Sequence, residues 1–337
     1  MTLRVGVVGS GYIAEVIAQA MQAAQGVRLV AVASRRPERA ALFAQAHPGL
    51  THFTTWQELV AWDGLDAVYV ATPTAAREEI AIAAAQHGKH VLAEKPFAST
   101  ASLQRIIAAC QARLVAFLDA THFVHHPRTM QLRHELDARI GQLQAISSAF
   151  FFPSMDRNNI RHDPQQEPMG AIGDMAWYTL RAVVEFTPAD ALPLLTQAVG
   201  SRDALSGAMV RGAGMLHLSN GVTATWDVGY SVGACIMNLA LLGDQGMITL
   251  DDFVLDWAYG FPIADQHYPV GFVQRRGLAT PAAFEQVQTA SAQQSVLMLE
   301  QFANMAADPQ GTAMQAHMQA SVRTQTLLDA AWERINN

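Results

Sequence analysis

At 337 residues the chain exceeds what one hydrophobic core usually supports, so two domains of roughly 100 to 200 residues are expected. With 50% hydrophobic and 15% charged residues it is neither disordered nor fibrous. A net charge of −7 leaves no basic face for nucleic acid, which is excluded as a partner.

Met1-Thr2-Leu3-Arg4 runs directly into a short apolar strand, Leu3 to Val8, without the basic region, apolar run and small-residue cleavage site of an export signal. A cytoplasmic location is therefore expected. After the strand come Gly9 and Gly11, and then Ile13, Val16, Ile17, Ala20 and Met21 at helical spacing. Gly9-Ser10-Gly11-Tyr12-Ile13-Ala14 is the G-x-G-x-x-A form of the dinucleotide fingerprint. Such a string also fits a glycine turn with no ligand, but the strand before it and the helix after it are the context the motif requires. Gly9 permits the turn, Gly11 lets a pyrophosphate approach the helix start at Tyr12 and Ile13, and Ala14 lets helix and strand pack closely.

Leu29 to Ala33 forms a second buried strand, and its end bears on the choice of cofactor. An NAD site usually has Asp or Glu there to accept from the ribose 2′-hydroxyl, whereas this chain has Ser34-Arg35-Arg36, with Arg39 one turn on. Arg35 can pair with the 2′-phosphate of NADP and Ser34 can donate to it; the same arginines also fit a solvated helix entrance. NADP is the expected cofactor, with NAD possible.

A helix over Pro37 to Ala46, with proline in its first turn, is followed by a strand over Leu65 to Ala71 that exits through Thr72-Pro73. A helix over Ala75 to His87, closed by Gly88, leads to a strand over His90 to Glu94. Strands alternating with helices predict an α/β class with a doubly wound parallel sheet, a Rossmann domain over residues 1–120. Glu94-Lys95-Pro96 then lies where the carboxyl edge of the sheet meets the cofactor crevice.

Beyond a Leu114 to Leu118 strand stand His122, His125 and His126, with no cysteine or acidic partner at zinc-site spacing; no metal is expected. A helix over Gly170 to Glu185 places Asp174 and Tyr178 four residues apart on one face, either as a site or as an ordinary polar face. Strands over Gln142 to Phe152, Met209 to Leu218, Val222 to Tyr230 and Ile236 to Leu242 follow with short turns such as Ser219-Asn220-Gly221. They predict an α+β domain with a mostly antiparallel sheet over residues 121–337, closed by helices over Ala290 to Ala307 and Ala320 to Ile335. The apolar stretch Val232 to Leu242 is too short for a membrane helix, and Cys110 and Cys235 read as reduced core residues. No membrane partner is expected.

Gly9 to Ala14, Ala71-Thr72-Pro73, Gly88-Lys89-His90-Val91-Leu92 and Glu94-Lys95-Pro96, in that order and spacing, resemble the glucose-fructose oxidoreductase, inositol dehydrogenase and MocA family. His126-Pro127 resembles the pair that begins the family's second domain, and Gly243-Asp244-Gln245-Gly246 its later hairpin. Asn159-Ile160-Arg161 and Asp174 with Tyr178 look like the branch containing dimeric dihydrodiol dehydrogenase and NADP-linked xylose dehydrogenases.

The resemblance implies hydride transfer between NADP and a carbonyl or secondary alcohol of a sugar, polyol or cyclic diol. Lys95 and Tyr178 would handle the proton and Asp174 would orient the substrate. Glu94, Thr72 and Pro73 would border the cofactor, and His122, His126, Asn159 and Arg161 the substrate. It also implies a homodimer or larger homo-oligomer formed through the open sheet face, where Trp226 and Tyr230 could serve either face.

Several positions depart from the family pattern. Thr72-Pro73-Thr74-Ala75-Ala76-Arg77 lacks the asparagine and histidine of T-P-N-x-x-H. Phe123-Val124-His125 replaces an aromatic-arginine-aromatic run, and Pro168-Met169-Gly170-Ala171 a glycine-rich lead. Two other functions fit the fold. Retention of Lys95 with Asp174 and Tyr178 speaks against a nucleotide-sensing regulator, and the missing glycine-histidine-glycine segment against a cofactor-assisted glycosidase.

Overall fold

The computed structural model describes residues 2–154, 156–259 and 264–337. Contacts divide the chain into two units, Met1–His122 with Ser295–Val322, and Phe123–Gln294 with Arg323–Asn337.

In the first unit, β1 (Leu3–Val8), β2 (Val27–Ala33), β3 (Thr51–Phe53), β4 (Ala67–Val70), β5 (His90–Ala93) and β6 (Phe117–Asp119) form one sheet in the order β3-β2-β1-β4-β5-β6. Every pairing is parallel. The strands alternate with α1 (Tyr12–Ala23), α2 (Pro37–Ala46), α3 (Trp56–Ala61), α4 (Thr74–Gln86) and α5 (Thr100–Ala112). All four residues of β4 are buried, as expected of a strand covered on both faces. Strand order reverses between β1 and β4, the point at which a doubly wound sheet opens a crevice at its carboxyl edge.

The predicted second domain gives up Ser295–Val322 to this unit. Side chains account for the assignment: Ser321 Oγ donates to buried Asp119 at the end of β6, and Glu300 accepts from Gln25 N at 3.0 Å. The closing helices are α8 (Gln294–Ala307) and α9 (Thr312–Asn336), the second beginning eight residues before its predicted start.

The second unit holds α6 (Pro127–Ile140), β7 (Leu143–Phe151), α7 (Trp177–Phe186), β8 (Pro193–Arg202), β9 (Met209–Leu218) and β10 (Thr223–Gly229). It continues with β11 (Ile236–Gly243), β12 (Met247–Leu250), β13 (Gly271–Arg275) and β14 (Glu285–Gln288). Its eight-stranded sheet runs β14-β13-β12-β11-β7-β10-β9-β8 and is antiparallel apart from the β7–β10 pair.

The predicted helix over Gly170 to Glu185 contains a π-helical segment at Ile172–Ala176 before α7. This segment packs against β7, β9 and β10. Trp226 is buried on the face of β10 opposite to exposed Thr223 and Thr225, which fixes the face left open by the two readings. A buried ion pair ties α6 to the loop after β12: Arg128 donates to Asp252 Oδ1 at 2.6 Å and to the carbonyls of Asp252 and Gly271 at 2.9 Å. Among the described residues no helix is long and apolar enough to cross a membrane.

Candidate active site

In the first unit the turn from β1 to α1 distinguishes its two glycines. Gly9 has φ +122°, and a Cβ there would overlap the Ala71 carbonyl oxygen at the exit of β4. Only glycine fits. Gly11 has an ordinary extended backbone, φ −87° and ψ −179°, and a Cβ on it would meet nothing within 4 Å. It is the N-cap of α1, a twelve-residue helix whose start has no side-chain cap. Ala14 is fully buried behind that turn, while Tyr12 is exposed and Ile13 half-buried.

At the end of β2, Ser34 Oγ lies 2.8 Å from Ser10 Oγ of the glycine turn. Arg35, Arg36 and Arg39 follow, all exposed, and among the described residues their side chains make no hydrogen bond or ion pair. At the end of β4 the Thr72 hydroxyl is buried without a hydrogen-bond partner. An uncapped helix start, an orphan hydroxyl and three uncommitted guanidiniums on one sheet edge suit a dinucleotide with a 2′-phosphate: helix N–H groups for the pyrophosphate and arginine for the extra phosphate.

β5 ends at Ala93, and Glu94 N donates to the Val70 carbonyl at 3.0 Å. Glu94 accepts a 2.6 Å hydrogen bond from Tyr69 Oη. Burial pushes its carboxyl above the usual range, opposed by the Lys95 and Arg77 cations and the Tyr69 hydroxyl. Lys95 itself is only 9% exposed, so an ammonium is held largely away from bulk water at the carboxyl edge.

In the second unit Asp174 lies in the π segment. Its Oδ2 accepts from Arg161 Nε at 2.7 Å and from Tyr230 Oη at 3.0 Å. Asp174 holds the Arg161 guanidinium above its already high value, and burial first, then the Asp174 charge, raises the Tyr230 phenol. Asn159 Oδ1 caps the 3₁₀ turn Ile160–His162 by accepting from Arg161 N at 3.1 Å, which fixes the backbone that carries the arginine.

Asn159, Arg161 and Asp174 thus converge on one another. The Tyr178 ring packs among aromatic neighbours, its centroid 5.5 Å from Phe150 and 6.2 Å from Phe123. His122 is buried at the start of the 3₁₀ turn His122–His125.

His126 has both ring nitrogens in use within its own unit. Nδ1 caps α6 by accepting from Arg128 N at 3.0 Å, and Nε2 lies 2.9 Å from Asp256. That geometry suits a structural cap. Two further residues join the cluster without any sequence signal. Tyr230 comes 56 positions after Asp174, and His162 packs its ring 6.0 Å from Tyr230, with Nε2 on the Ser154 carbonyl at 3.0 Å and Nδ1 buried without a partner.

The model of the oxidoreductase family with an NAD-binding Rossmann fold, GFO_IDH_MocA, matches residues 3–119. A dTDP-3,4-didehydro-2,6-dideoxy-α-D-glucose 3-reductase of Streptomyces antibioticus is 33% identical over 252 residues, 74% of this chain and 75% of that protein. The chain belongs to the Gfo/Idh/MocA oxidoreductase family. It is an NAD(P)-binding enzyme with that family's two-part α/β architecture.

An NADP-dependent scyllo-inositol 2-dehydrogenase of Bacillus subtilis is 34% identical over 149 residues, and the match spans 44% of this chain and 45% of that family member. Among solved structures, a 3-ketoreductase from Actinomadura kijaniata in complex with NADP and TDP-benzene superposes with a TM-score of 0.89 at 27% identity, covering 99% of this chain and 98% of that one.

Proposed function

We propose that this oxidoreductase uses NADP to interconvert a carbonyl and a secondary alcohol on a sugar, polyol or cyclic diol. The observation that carries the reading is the alignment, along one carboxyl edge of the parallel sheet, of the glycine turn, the uncommitted arginines after β2, and buried Lys95 after β5. The NADP-linked activity named for the inositol dehydrogenase and the NADP bound to the solved 3-ketoreductase support the cofactor, and the inositol and nucleotide-linked ketosugar named for two relatives support the substrate class.

Bound at this edge, the nicotinamide cofactor supplies or accepts the hydride. Gly11 and the residues after it, Tyr12 and Ile13, receive the pyrophosphate, Ser34, Arg35 and Arg39 the 2′-phosphate, and Thr72, Pro73 and Glu94 border the dinucleotide. Lys95 stabilises the charge that develops on the reacting oxygen, where a cation shielded from water is worth most. Tyr178 gives that oxygen its proton, or takes it in the reverse direction. Asp174, held by Arg161 and Tyr230, orients substrate hydroxyls. Asn159 fixes the arginine that holds it, and Arg161 and His122 are each assigned to substrate binding.

The enzyme acts in the cytoplasm as a homodimer or larger homo-oligomer. Self-association uses the open sheet face, which presents Ser147, Ala149 and Ala240 around a hollow of about 790 Å³, with Met215 and Val199 exposed beyond it. Light scattering reads this directly; a monodisperse species at the 36.5 kDa chain mass contradicts it.

The deciding experiment is an NADPH-depletion and NADP-reduction screen against inositols, aldoses, ketosugars including nucleotide-linked ones, and cyclic diols. Wild type, Lys95→Ala and Tyr178→Phe are compared on whatever is turned over. Loss of positioned proton transfer costs about 10²- to 10⁴-fold in rate, so both variants should fall by that order while NADPH still binds. Near-normal turnover by Lys95→Ala removes the mechanism, and tight NADPH binding with no turnover of any compound favours a sensor.

A further inference from the structure

Arg77 takes the place at the end of the β4 exit where the family pattern has histidine, and its surroundings are unusual for an arginine. It lies on the first turn of α4 and is 3% exposed. Nη1 donates to Thr74 Oγ1 at 3.1 Å and to the Pro96 carbonyl, and Nη2 donates to the Thr72 carbonyl at 2.6 Å. One planar guanidinium therefore joins the chain leaving β4 to the chain leaving β5.

The charge is compensated locally. Burying a cation this deeply is costly unless it is paired, and here two carbonyls and a hydroxyl accept three of its N–H donors while the Glu94 carboxyl faces the same charge. Lys95 lies between the two points at which its loop is fastened: Glu94 N on the Val70 carbonyl before it, and the Pro96 carbonyl on Arg77 after it. β5 ends at Ala93, so the sheet ladder does not extend to the far side of Lys95.

We propose that Arg77 is a positioning residue for hydride transfer, its guanidinium fixing the Pro96 carbonyl against the Thr72 exit and so setting where the Lys95 ammonium stands. The inference rests on the role assigned above to Lys95. The fork is what matters: a planar group with donors at fixed angles registers two loops against each other, which one ammonium cannot do. A displacement of about 1 Å in a catalytic group can cost about 10²-fold in rate.

The test compares wild type, Arg77→Lys, Arg77→Met and Lys95→Ala. Each is measured for its NADPH dissociation constant, its crystal structure with NADPH, and kcat, KM and the primary deuterium isotope effect with 4-deuterated NADPH on the best compound of the screen. Arg77→Met should bind NADPH within about threefold of wild type, because the glycine turn and the β2 arginines are untouched. Its kcat should fall about 10- to 100-fold with a larger isotope effect and little change in KM, and Lys95 should be displaced in the crystal. Arg77→Lys, which keeps the charge and loses the fork, should lie between the two.

A residue that only stabilises the fold would lower kcat in step with the folded fraction, leaving the isotope effect and the Lys95 position unchanged; that result overturns the proposal. If Arg77→Met does not fold, Arg77→Lys decides: wild-type kcat and isotope effect in that variant also overturn it. Full turnover by Lys95→Ala instead removes the role of the lysine, a separate failure.

Discussion

Replacing Gly9 and Gly11 separately by alanine should damage two different properties of the protein. At Gly9 the backbone sits at φ +122°, and an alanine Cβ would enter the Ala71 carbonyl oxygen, a backbone atom that cannot swing aside. Holding a non-glycine residue in such a conformation costs on the order of 1–3 kcal/mol before the overlap is relieved. At about 2–4 °C per kcal/mol for a domain of this size, Gly9→Ala should melt at least ~2 °C below wild type without any ligand, and further below once the overlap is counted. At Gly11 the backbone is already one that alanine adopts, and no atom lies within 4 Å of the new methyl. The remaining cost is that of a poorer N-cap, a few tenths of a kcal/mol to about 1, so melting should drop by no more than ~4 °C. The methyl would, however, occupy the space through which a pyrophosphate reaches the start of α1. Loss of one charge-assisted hydrogen bond, about 1.5–3 kcal/mol, raises the NADPH dissociation constant roughly 10- to 150-fold. Scanning fluorimetry on ligand-free protein and NADPH fluorescence titration separate the two effects. Gly11→Ala binding NADPH within threefold of wild type would refute the assignment of that space, and Gly9→Ala melting with wild type would refute the steric argument.

Arg35→Ala should reduce the preference for NADPH over NADH by about 10- to 100-fold, read as the ratio of dissociation constants; an unchanged ratio removes Arg35 from the 2′-phosphate site. Arg128→Met leaves Asp252 buried without its cation, so urea unfolding should show a loss of about 3–5 kcal/mol, and a loss under 1 would mean that water reaches the carboxylate. Hydrogen bonds from Arg4 hold the Asp66 carboxyl below its ordinary value. Because the folded pKa is the lower one, its stabilisation is complete above about pH 4 and is lost as pH falls through the folded value. Asp66→Asn should therefore cost up to about 1 kcal/mol at neutral pH and progressively less in acid; a cost that grows on acidification contradicts the sign.

Much of the first unit could be read from one-dimensional pattern because its central strands are covered on both faces. Ala67–Val70 is uninterruptedly apolar, and the glycine turn follows β1 at once. β3 carries no such signal: Thr51-His52-Phe53 is a three-residue edge strand, largely exposed, held by its pairing with β2. β8 escapes notice for the same reason at the opposite edge of the other sheet, where Leu194 and Val199 face outward. The ends of strands identify Lys95 and the β2 arginines because a doubly wound sheet always brings those ends to one edge. Arg77 looks in sequence like a lost histidine, and only the meeting of two strand exits gives it partners.

The helix that carries Asp174 shows a different limit. Four residues make one face when every turn is α-helical, and that spacing puts Asp174 beside Tyr178. The π segment Ile172–Ala176 widens the turn that contains Asp174 before the α-helical part begins at Trp177. Asp174 turns to Arg161 and Tyr230, while the Tyr178 ring packs on Phe150 and Phe123. Nothing in Ile172-Gly173-Asp174-Met175-Ala176 announces this, since every residue there is compatible with an α-helix. A π turn sacrifices regular hydrogen bonding, and α7 beyond it is buried along nearly its whole length, where a regular helix would pack as well. Such turns are frequent at functional sites, and the one here carries the carboxylate that gathers the polar cluster of the second unit.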